Sequence, residues 1–128
     1  MILLDTCTLL WLAIEPSALS DRAKRALRSH AGGLHVSAIS AFEIGQKAAG
    51  GKLKLKLKPS LWFPRACELH GIDPLPLDIK SCLAAAALPQ LHKDPFDRLL
   101  VATALTHGLA ILTPDEKIRA YPKLKSLW

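Results

Sequence analysis

The sequence predicts an α/β fold of three layers, α/β/α, with a short and mostly parallel central sheet. Short apolar runs alternate along the chain with longer segments of helical periodicity, and this alternation is typical of βαβ units. Residues 109–112 are apolar throughout, as expected for a strand that is covered on both faces. The chain has 128 residues, half of them hydrophobic, so we expect one domain over residues 1–128 with a substantial core.

The strand candidates are short and lie between turn-forming residues. Residues 72–77 include two prolines, so this strand is expected to be short or peripheral. The C-terminal residues are expected to add an edge strand. In chain order the candidates are residues 2–4, 34–36, 72–77, 109–112 and 124–128.

The helix candidates fill the intervals between these strands. Residues 94–107 give the clearest signal, because their leucines and alanines form a nearly continuous apolar face that ends at Gly108. Pro64 is expected to weaken or kink the helix that contains it. In chain order the candidates are residues 6–13, 20–29, 40–49, 59–70, 78–88 and 94–107, with a short helix after Thr113.

Composition and charge narrow the class of protein. The formal net charge of +6 favours polyanions as partners. No apolar run approaches the 18 residues of a membrane span, and no Lys or Arg precedes the first apolar run, so we expect neither a membrane segment nor a secretory signal. The cysteines Cys7, Cys67 and Cys82 are odd in number and lack zinc-site spacing, which favours a reduced, cytoplasmic protein.

Four acidic residues stand where an apolar run ends or a helix begins. They are Asp5, Glu43, Asp97 and Asp115. In an alternating strand–helix fold these junctions converge on one crevice at the carboxyl ends of the strands. Carboxylates gathered there repel each other unless a cation holds them, so the pattern indicates a Mg²⁺ or Mn²⁺ site.

Helix capping competes with metal binding as the explanation for these acids. Ser40 and Glu43 have the spacing of a capping box, and Asp94 followed by Pro95 is typical of a helix start with Asp97 in the first turn. Asp94 suits the N-cap position better than Asp97, so we favour Asp97 as a primary metal ligand and Asp94 as an auxiliary one.

Capping is a weaker explanation for the other two acids. Asp5 directly follows an apolar strand and has no glutamate three residues later. Near Asp115, a capping box would pair Thr113 with Glu116. Asp115 would then have no capping role. Both carboxylates are therefore predicted to serve the metal rather than the helix.

Five segments together carry a family resemblance that spans nearly the whole chain. They are residues 3–6 (LLDT), 36–44 (VSAISAFEI), 51–53 (GKL), 92–104 (HKDPFDRLLVATA) and 112–115 (LTPD). In this order and spacing they resemble the PIN-domain ribonucleases, specifically the VapC-type toxins of type II toxin–antitoxin modules. The resemblance implies a PIN-like fold and an endoribonuclease that uses Mg²⁺ or Mn²⁺, is neutralised by a cognate antitoxin and forms a homodimer.

The resemblance also implies roles for individual residues. Asp5, Glu43, Asp97 and Asp115 correspond to the catalytic, metal-binding acids, with Asp94 as a fifth acid. Thr113 and Ser37 are expected to be polar supports. A metal-activated water would attack the RNA phosphate and leave a 5′-phosphate and a 3′-hydroxyl.

The residues beside Asp97 allow more than one interpretation. Arg98 is expected either to hold phosphate or to pair with a carboxylate, and Lys93 to contact RNA. His92 is the only histidine near the predicted site in sequence, and a loop histidine bonded to backbone is favoured over a catalytic one.

Lysine and leucine alternate over residues 52–58. As a strand, this segment would place its four lysines on one face and its three leucines on the other. Lys52, Lys54 and Lys56 could follow an RNA backbone, protect a solvated sheet edge, or dock the antitoxin. All three interpretations stay open from the sequence.

Other functions fit the sequence less well. A phosphatase of the haloacid dehalogenase type needs a second acid two residues after the first, and here Asp5 is followed by Thr6 and Cys7. A receiver domain needs adjacent early acids and a late lysine that are absent. A nucleic-acid or antitoxin binding module without catalysis is the non-enzymatic alternative.

Overall fold

A computed structural model describes all residues, 1–128, and contains a sheet of five parallel strands in the order β3-β2-β1-β4-β5. This confirms the predicted α/β class with its short parallel sheet. The proline-containing strand lies at one edge and the C-terminal strand at the other, as predicted. The strands are β1 (Ile2–Leu4), β2 (Leu34–Ser37), β3 (Ile72–Leu75), β4 (Ala110–Leu112) and β5 (Ser126–Leu127).

Seven α-helices connect and cover these strands, and a 3₁₀ turn at Pro16–Ala18 follows the first of them. None of the helices is sufficiently long and apolar to cross a membrane. The helices are α1 (Thr6–Ile14), α2 (Asp21–Ser29), α3 (Ala38–Ala49), α4 (Pro59–His70), α5 (Ile79–Ala87), α6 (Pro95–His107) and α7 (Glu116–Arg119).

The sheet is covered on both faces because its side chains alternate. Ile2 and Leu4 of β1 pack into a core cluster with residues of α1 and α2. Leu3, between them, packs into a second cluster with residues of α6 and α7. All three residues of β1 are fully buried, as expected for the central strand of a three-layer fold.

Two helix starts differ from the sequence prediction. Helix α3 begins at Ala38 and is capped by Ser37, whose Oγ accepts from the Ile39 N–H at 3.1 Å. Ser40 is therefore inside the helix, and the predicted capping box with Glu43 is wrong. Helix α7 begins at Glu116 with Asp115, not Thr113, as its N-cap.

The lysine–leucine segment does not form a strand. Residues 52–58 run as turns and extended coil between α3 and α4 and pair with no strand of the sheet. The alternation of burial is nevertheless present, since the lysines are exposed and the leucines are half-buried. Leu53 and Leu55 reach the core cluster beneath α1, so packing rather than strand pairing maintains the alternation.

The strand order creates a crevice at the carboxyl end of the sheet. The chain builds outward from β1 to β3 on one side and then crosses to β4 on the other. The helices that follow β1 and β4 therefore diverge at the boundary between these strands, which is where ligands bind in open α/β sheets. Asp5 follows β1 and Thr113 follows β4, so both stand at this boundary.

Candidate metal centre

Asp5 lies buried at the end of β1 and is held by hydrogen bonds on both carboxylate oxygens. Its Oδ1 accepts from the Thr8 N–H at 2.8 Å, and its Oδ2 accepts from the Thr113 hydroxyl. Burial raises the pKa of this carboxyl, and these bonds offset part of the rise. Asp5 is thus the N-cap of α1, a role that the sequence prediction had set aside.

Glu43 approaches the same crevice from α3. The Thr6 hydroxyl donates to Glu43 Oε1 at 2.7 Å and lies 2.9 Å from the buried Ser40 hydroxyl. Burial raises the pKa of Glu43, and the negative charges of Asp94 and Asp5 raise it further. The hydrogen bond from Thr6 and the charge of Lys47 act in the opposite direction. Glu43 is therefore oriented by the residue that directly follows Asp5.

Asp97 and Asp115 meet at the ring of His92. His92 Nε2 lies 2.9 Å from Asp97 Oδ2 and 3.2 Å from Asp115 Oδ2. The other ring nitrogen, Nδ1, accepts from the Asp94 N–H at 3.2 Å. The loop histidine does bond to backbone, as favoured from the sequence, but it also contacts two acids of the predicted site.

Asp97 is crowded by other carboxylates. Burial and then the neighbouring Asp94 raise the pKa of the Asp97 carboxyl to about 7, with smaller contributions from Glu43 and Asp115. His92 acts in the opposite direction and lowers the pKa of Asp97. Crowded carboxylates of this kind are more stable with a cation between them.

The three auxiliary positions have well-defined roles in the local structure. Asp94 is the N-cap of α6, and its Oδ1 accepts from the Phe96 N–H at 2.9 Å, which confirms the predicted helix start. Thr113 donates to Asp5 and accepts from the Asp115 N–H at 3.1 Å. Ser37 caps α3 and contacts none of the acids.

Hydrogen bonds link Asp5, Asp115 and Asp97, and the backbone between Asp5 and Thr6 extends this network to Glu43. Thr6 connects the chain at Asp5 to Glu43. From Asp5 the contacts run through Thr113 to Asp115, and from Asp115 through His92 to Asp97. The four acids of the predicted site are therefore parts of one network, although they come from four separate segments of the chain.

The acids do not form a closed cage around one point. The ligand atoms of His92, Asp97 and Asp115 lie within 4.8 Å of one another, whereas Asp5, Glu43 and Asp94 complete no such group. Two features of the site were not predicted from the sequence: the support of Glu43 by Thr6 and Ser40, and the contact of His92 with the acids. The position of Thr6 next to Asp5 was the one available signal.

Arg98 lies outside this network. Its guanidinium donates to the carbonyl oxygens of Ala85 at 2.8 Å, Leu88 at 3.1 Å and Pro89 at 3.0 Å. These carbonyls belong to the end of α5 and the loop that follows. The carboxylate alternative for Arg98 is therefore wrong, because its donors are engaged by backbone carbonyls, and the Leu88 carbonyl has no other protein donor.

The basic residues beside the crevice belong to two different hollows. Lys52 and Lys47 border a cleft of about 500 Å³ that also contains Glu43 and Phe96. Lys54 and Lys56 instead border a separate groove of about 420 Å³ between residues of α1 and α4. The apolar lining of this groove includes Ile14, Leu55, Trp62, Ala66 and Leu69. Lys93 is exposed between His92 and Asp94.

The family model for the PIN domain matches residues 2–124. The chain belongs to the PIN-domain family. A curated relative, the ribonuclease VapC22 of Mycobacterium tuberculosis, is 34% identical over 133 aligned residues, which cover 99% of this chain and 98% of the relative. The relationship extends over the full domain of that VapC protein and confirms the resemblance found in the five sequence segments.

Solved structures share the fold of this PIN domain. VapBC2 of Rickettsia felis bound to a promoter DNA fragment superposes with a TM-score of 0.73 at 17% identity, covering 98% of this chain and 97% of that chain. FitAcB of Neisseria gonorrhoeae superposes with a TM-score of 0.70 at 23% identity, covering 98% and 96%. A toxin–antitoxin complex of Klebsiella pneumoniae gives 0.66 at 22% identity, covering 96% and 93%. At these identities the likeness concerns the fold.

Proposed function

We propose that this PIN-domain protein is a Mg²⁺- or Mn²⁺-dependent endoribonuclease and the toxin of a toxin–antitoxin module. The observation that carries the proposal is the linked set of four acids, Asp5, Glu43, Asp97 and Asp115, at the switch point of the sheet. The ribonuclease activity named for the VapC22 relative supports it, because the relationship covers both chains almost completely.

The side chains of the crevice fit a hard divalent cation. Their free donors are carboxylate oxygens, the ligands that Mg²⁺ prefers, and no Lys or Arg forms an ion pair with them. Burial raises the pKa values of Asp5, Glu43 and Asp97, and the charges of neighbouring carboxylates raise those of Glu43 and Asp97 further, as expected of acids that lack a counter-ion. The residues that would hold the cation are Asp5, Glu43, Asp94, Asp97 and Asp115.

The protein contributes orientation to the reaction. A bound cation supplies an activated water and charge stabilisation at the scissile phosphate. The bonds from Thr8 and Thr113 hold Asp5 in one rotamer, and Thr6 does the same for Glu43. Water attacks phosphorus in line with the leaving 3′-oxygen, and the products carry a 5′-phosphate and a 3′-hydroxyl.

Single replacement of Asp5, Glu43, Asp97 or Asp115 by Ala is expected to lower RNA cleavage by about 100-fold or more, because each change removes charge stabilisation aimed at the reacting phosphate. The measurement is cleavage of structured RNA with Mg²⁺, Mn²⁺ or EDTA, followed by analysis of the new ends. Glu15→Ala is the control, since Glu15 is exposed and caps nothing through its side chain.

This experiment distinguishes a nuclease from a binding module without catalysis. Metal-dependent cuts with 5′-phosphates support the nuclease. RNA binding without cuts by the unaltered protein contradicts it and supports the non-catalytic binding module. Membership of the PIN-domain family removes the phosphatase interpretation.

We propose that RNA and the antitoxin use the two hollows that different parts of the lysine–leucine segment border. Lys47 and Lys52 share their cleft with Glu43, so a polyanion lying there would reach the crevice. The other groove combines an apolar floor with the cations Lys54, Lys56 and Arg65 at its rim. Its chemistry suits an acidic, amphipathic segment of an antitoxin, and a solved toxin–antitoxin complex shares the fold of this chain.

The double variant Lys54→Glu, Lys56→Glu is expected to weaken antitoxin binding by about 10-fold or more, because it reverses the charge along the apolar groove. RNA cleavage should remain near normal. The matched variant Lys47→Glu, Lys52→Glu should bind RNA more weakly, and its RNA affinity should depend less steeply on salt concentration. Its affinity for the antitoxin should be unchanged. Binding is measured by calorimetry for the cognate antitoxin and by a salt series for RNA. If both double variants weakened RNA binding and antitoxin binding equally, the assignment of one hollow to each ligand would be wrong.

Two further expectations stay predictions. The three cysteines are unpaired, in keeping with a reduced, cytoplasmic protein.

A homodimer requires an exposed apolar surface, and α5 provides one with Ile79 and Leu83 one turn apart, 79% and 68% exposed. Helix α1 is apolar as well, but its residues Leu9 to Leu12 pack against the core and are not available for such a contact.

A further inference from the structure

The ring of His92 is held in one orientation and one tautomer by its surroundings. The Asp94 N–H donates to Nδ1, so Nδ1 is the acceptor nitrogen and carries no proton. The proton of the ring is therefore on Nε2, which faces two carboxylate oxygens and no other acceptor. The side chain is only 11% exposed, so water does not compete freely for this donor.

The backbone around His92 is anchored independently of the ring. The His92 N–H donates to the Tyr121 hydroxyl at 3.1 Å, and Tyr121 is buried in the core cluster beneath α6. The loop thus has its own attachment to the core. The contacts of the ring with Asp97 and Asp115 are additional to this attachment, and they join two residues from different elements.

We propose that His92 is a positioning residue whose Nε2–H joins Asp97 to Asp115 and sets their spacing for the metal. This inference rests on the proposed function of the crevice. One oxygen of each carboxylate accepts from the same donor, which holds together two acids that would otherwise repel each other. Asp97 Oδ1 has no protein partner and is free for a cation, while Asp115 Oδ1 accepts from the Lys117 N–H at 2.9 Å.

Direct ligation by His92 is the less favourable arrangement. A ligating Nε2 has to be unprotonated, which places the ring proton on Nδ1, opposite the Asp94 N–H. Two donors would then face each other in a half-buried site. Residues that hydrogen-bond to metal-ligating carboxylates typically change metal affinity by about 10- to 100-fold when they are removed. His92 has the geometry of such a residue.

Substitution of His92 by Gln or by Asn tests the roles of its two ring nitrogens separately. His92→Gln can place an amide N–H near the position of Nε2, whereas His92→Asn can replace only the acceptor at Nδ1. We expect His92→Ala and His92→Asn to weaken Mn²⁺ binding about 10-fold or more, and His92→Gln to remain within about 3-fold of the unaltered protein. Affinity is measured by calorimetry and by electron paramagnetic resonance of free Mn²⁺, which need no RNA.

A second histidine–aspartate pair supplies the control. His107 Nε2 lies 2.6 Å from Asp78 Oδ2, away from the crevice, so His107→Ala should leave Mn²⁺ affinity unchanged. Thermal unfolding of each variant in EDTA verifies that it folds. Equal Mn²⁺ affinity of His92→Ala and the unaltered protein would overturn the proposal, as would tighter binding, which would mean that the donor competes with the cation.

The tautomer provides a readout in the metal-free protein. The ¹⁵N spectrum of the His92 ring is expected to show a protonated Nε2 and an unprotonated Nδ1. The reverse assignment would overturn the role of His92. Absence of Mn²⁺ binding by the unaltered protein would instead overturn the proposed metal site, so the two failures are distinguishable.

Discussion

Asp97→Asn is expected to stabilise the metal-free protein by about 2 kcal/mol at pH 8 while removing its stabilisation by Mn²⁺. Burial and the charge of Asp94 raise the pKa of the Asp97 carboxyl to about 7 in the folded protein, from an ordinary value of 3.8. Asparagine is uncharged and keeps an oxygen that can accept from His92 Nε2. The substitution therefore removes a repelled charge and retains the local hydrogen bond.

The pH dependence of this difference follows from the direction of the shift. Because the folded-state pKa is raised, the folded protein retains a proton that the unfolded chain has released between about pH 4 and pH 7. The contribution of Asp97 to stability is complete below pH 4 and is lost as the pH rises through about 7. The free energy of unfolding of the variant should exceed that of the unaltered protein increasingly over this range.

Denaturant unfolding in EDTA from pH 4 to pH 8 measures this difference, and Glu15→Gln is the control, with an expected difference near zero at every pH. Added Mn²⁺ should reverse the order, since a ligand stabilises only the protein that binds it. A variant that is no more stable than the unaltered protein at pH 8 in EDTA would show that the acids do not repel each other as the structure indicates.

Arg98→Ala is expected to lower the free energy of unfolding by about 1.5 to 3 kcal/mol. The guanidinium donates to three carbonyls at the end of α5 and its following loop. Its removal would leave the Leu88 carbonyl without a protein donor, while the Ala85 and Pro89 carbonyls would keep only the bonds from the Leu88 and Leu91 N–H groups. Arg98→Lys should recover less than half of the loss, because an ammonium group lacks the planar set of donors that reaches several carbonyls at once.

Urea unfolding at constant pH measures these values, with Arg25→Ala as the matched control. Arg25 is exposed on α2 and makes no side-chain hydrogen bond, so its replacement should change stability by less than about 0.5 kcal/mol. An unchanged urea midpoint for Arg98→Ala would contradict the structural role and return Arg98 to the phosphate-binding interpretation.

Much of the fold follows from local sequence rules. Apolar runs mark the central strands β1 and β4, because a strand covered on both faces has to be apolar throughout. Asp94, Pro95 and Gly108 mark the two ends of α6, because each satisfies a local backbone requirement there. The same rules misplaced the start of α3, where Ser37 and Ser40 are equally good caps in sequence and only the end of β2 selects Ser37.

For the candidate site, the sequence predicted the location of the acids but not their hydrogen-bond partners. Asp5 and Thr113 could be assigned to one crevice because parallel strands end at one edge of a sheet. The positions of the acids in the chain were thus sufficient to predict where they gather. Their hydrogen-bond partners were not predictable, because Thr113 and Asp5 are separated by 108 residues and no periodicity connects them.

The sequence by itself determined the alternation of strands and helices, the family and the crevice where the acids collect, because each depends on patterns over a few neighbouring residues. Tertiary structure alone decided that His92 joins Asp97 to Asp115 and that Arg98 serves α5. It also decided that the lysine–leucine segment borders two hollows instead of extending the sheet. These contacts depend on how loops pack against distant elements, and the side chains themselves are compatible with several partners.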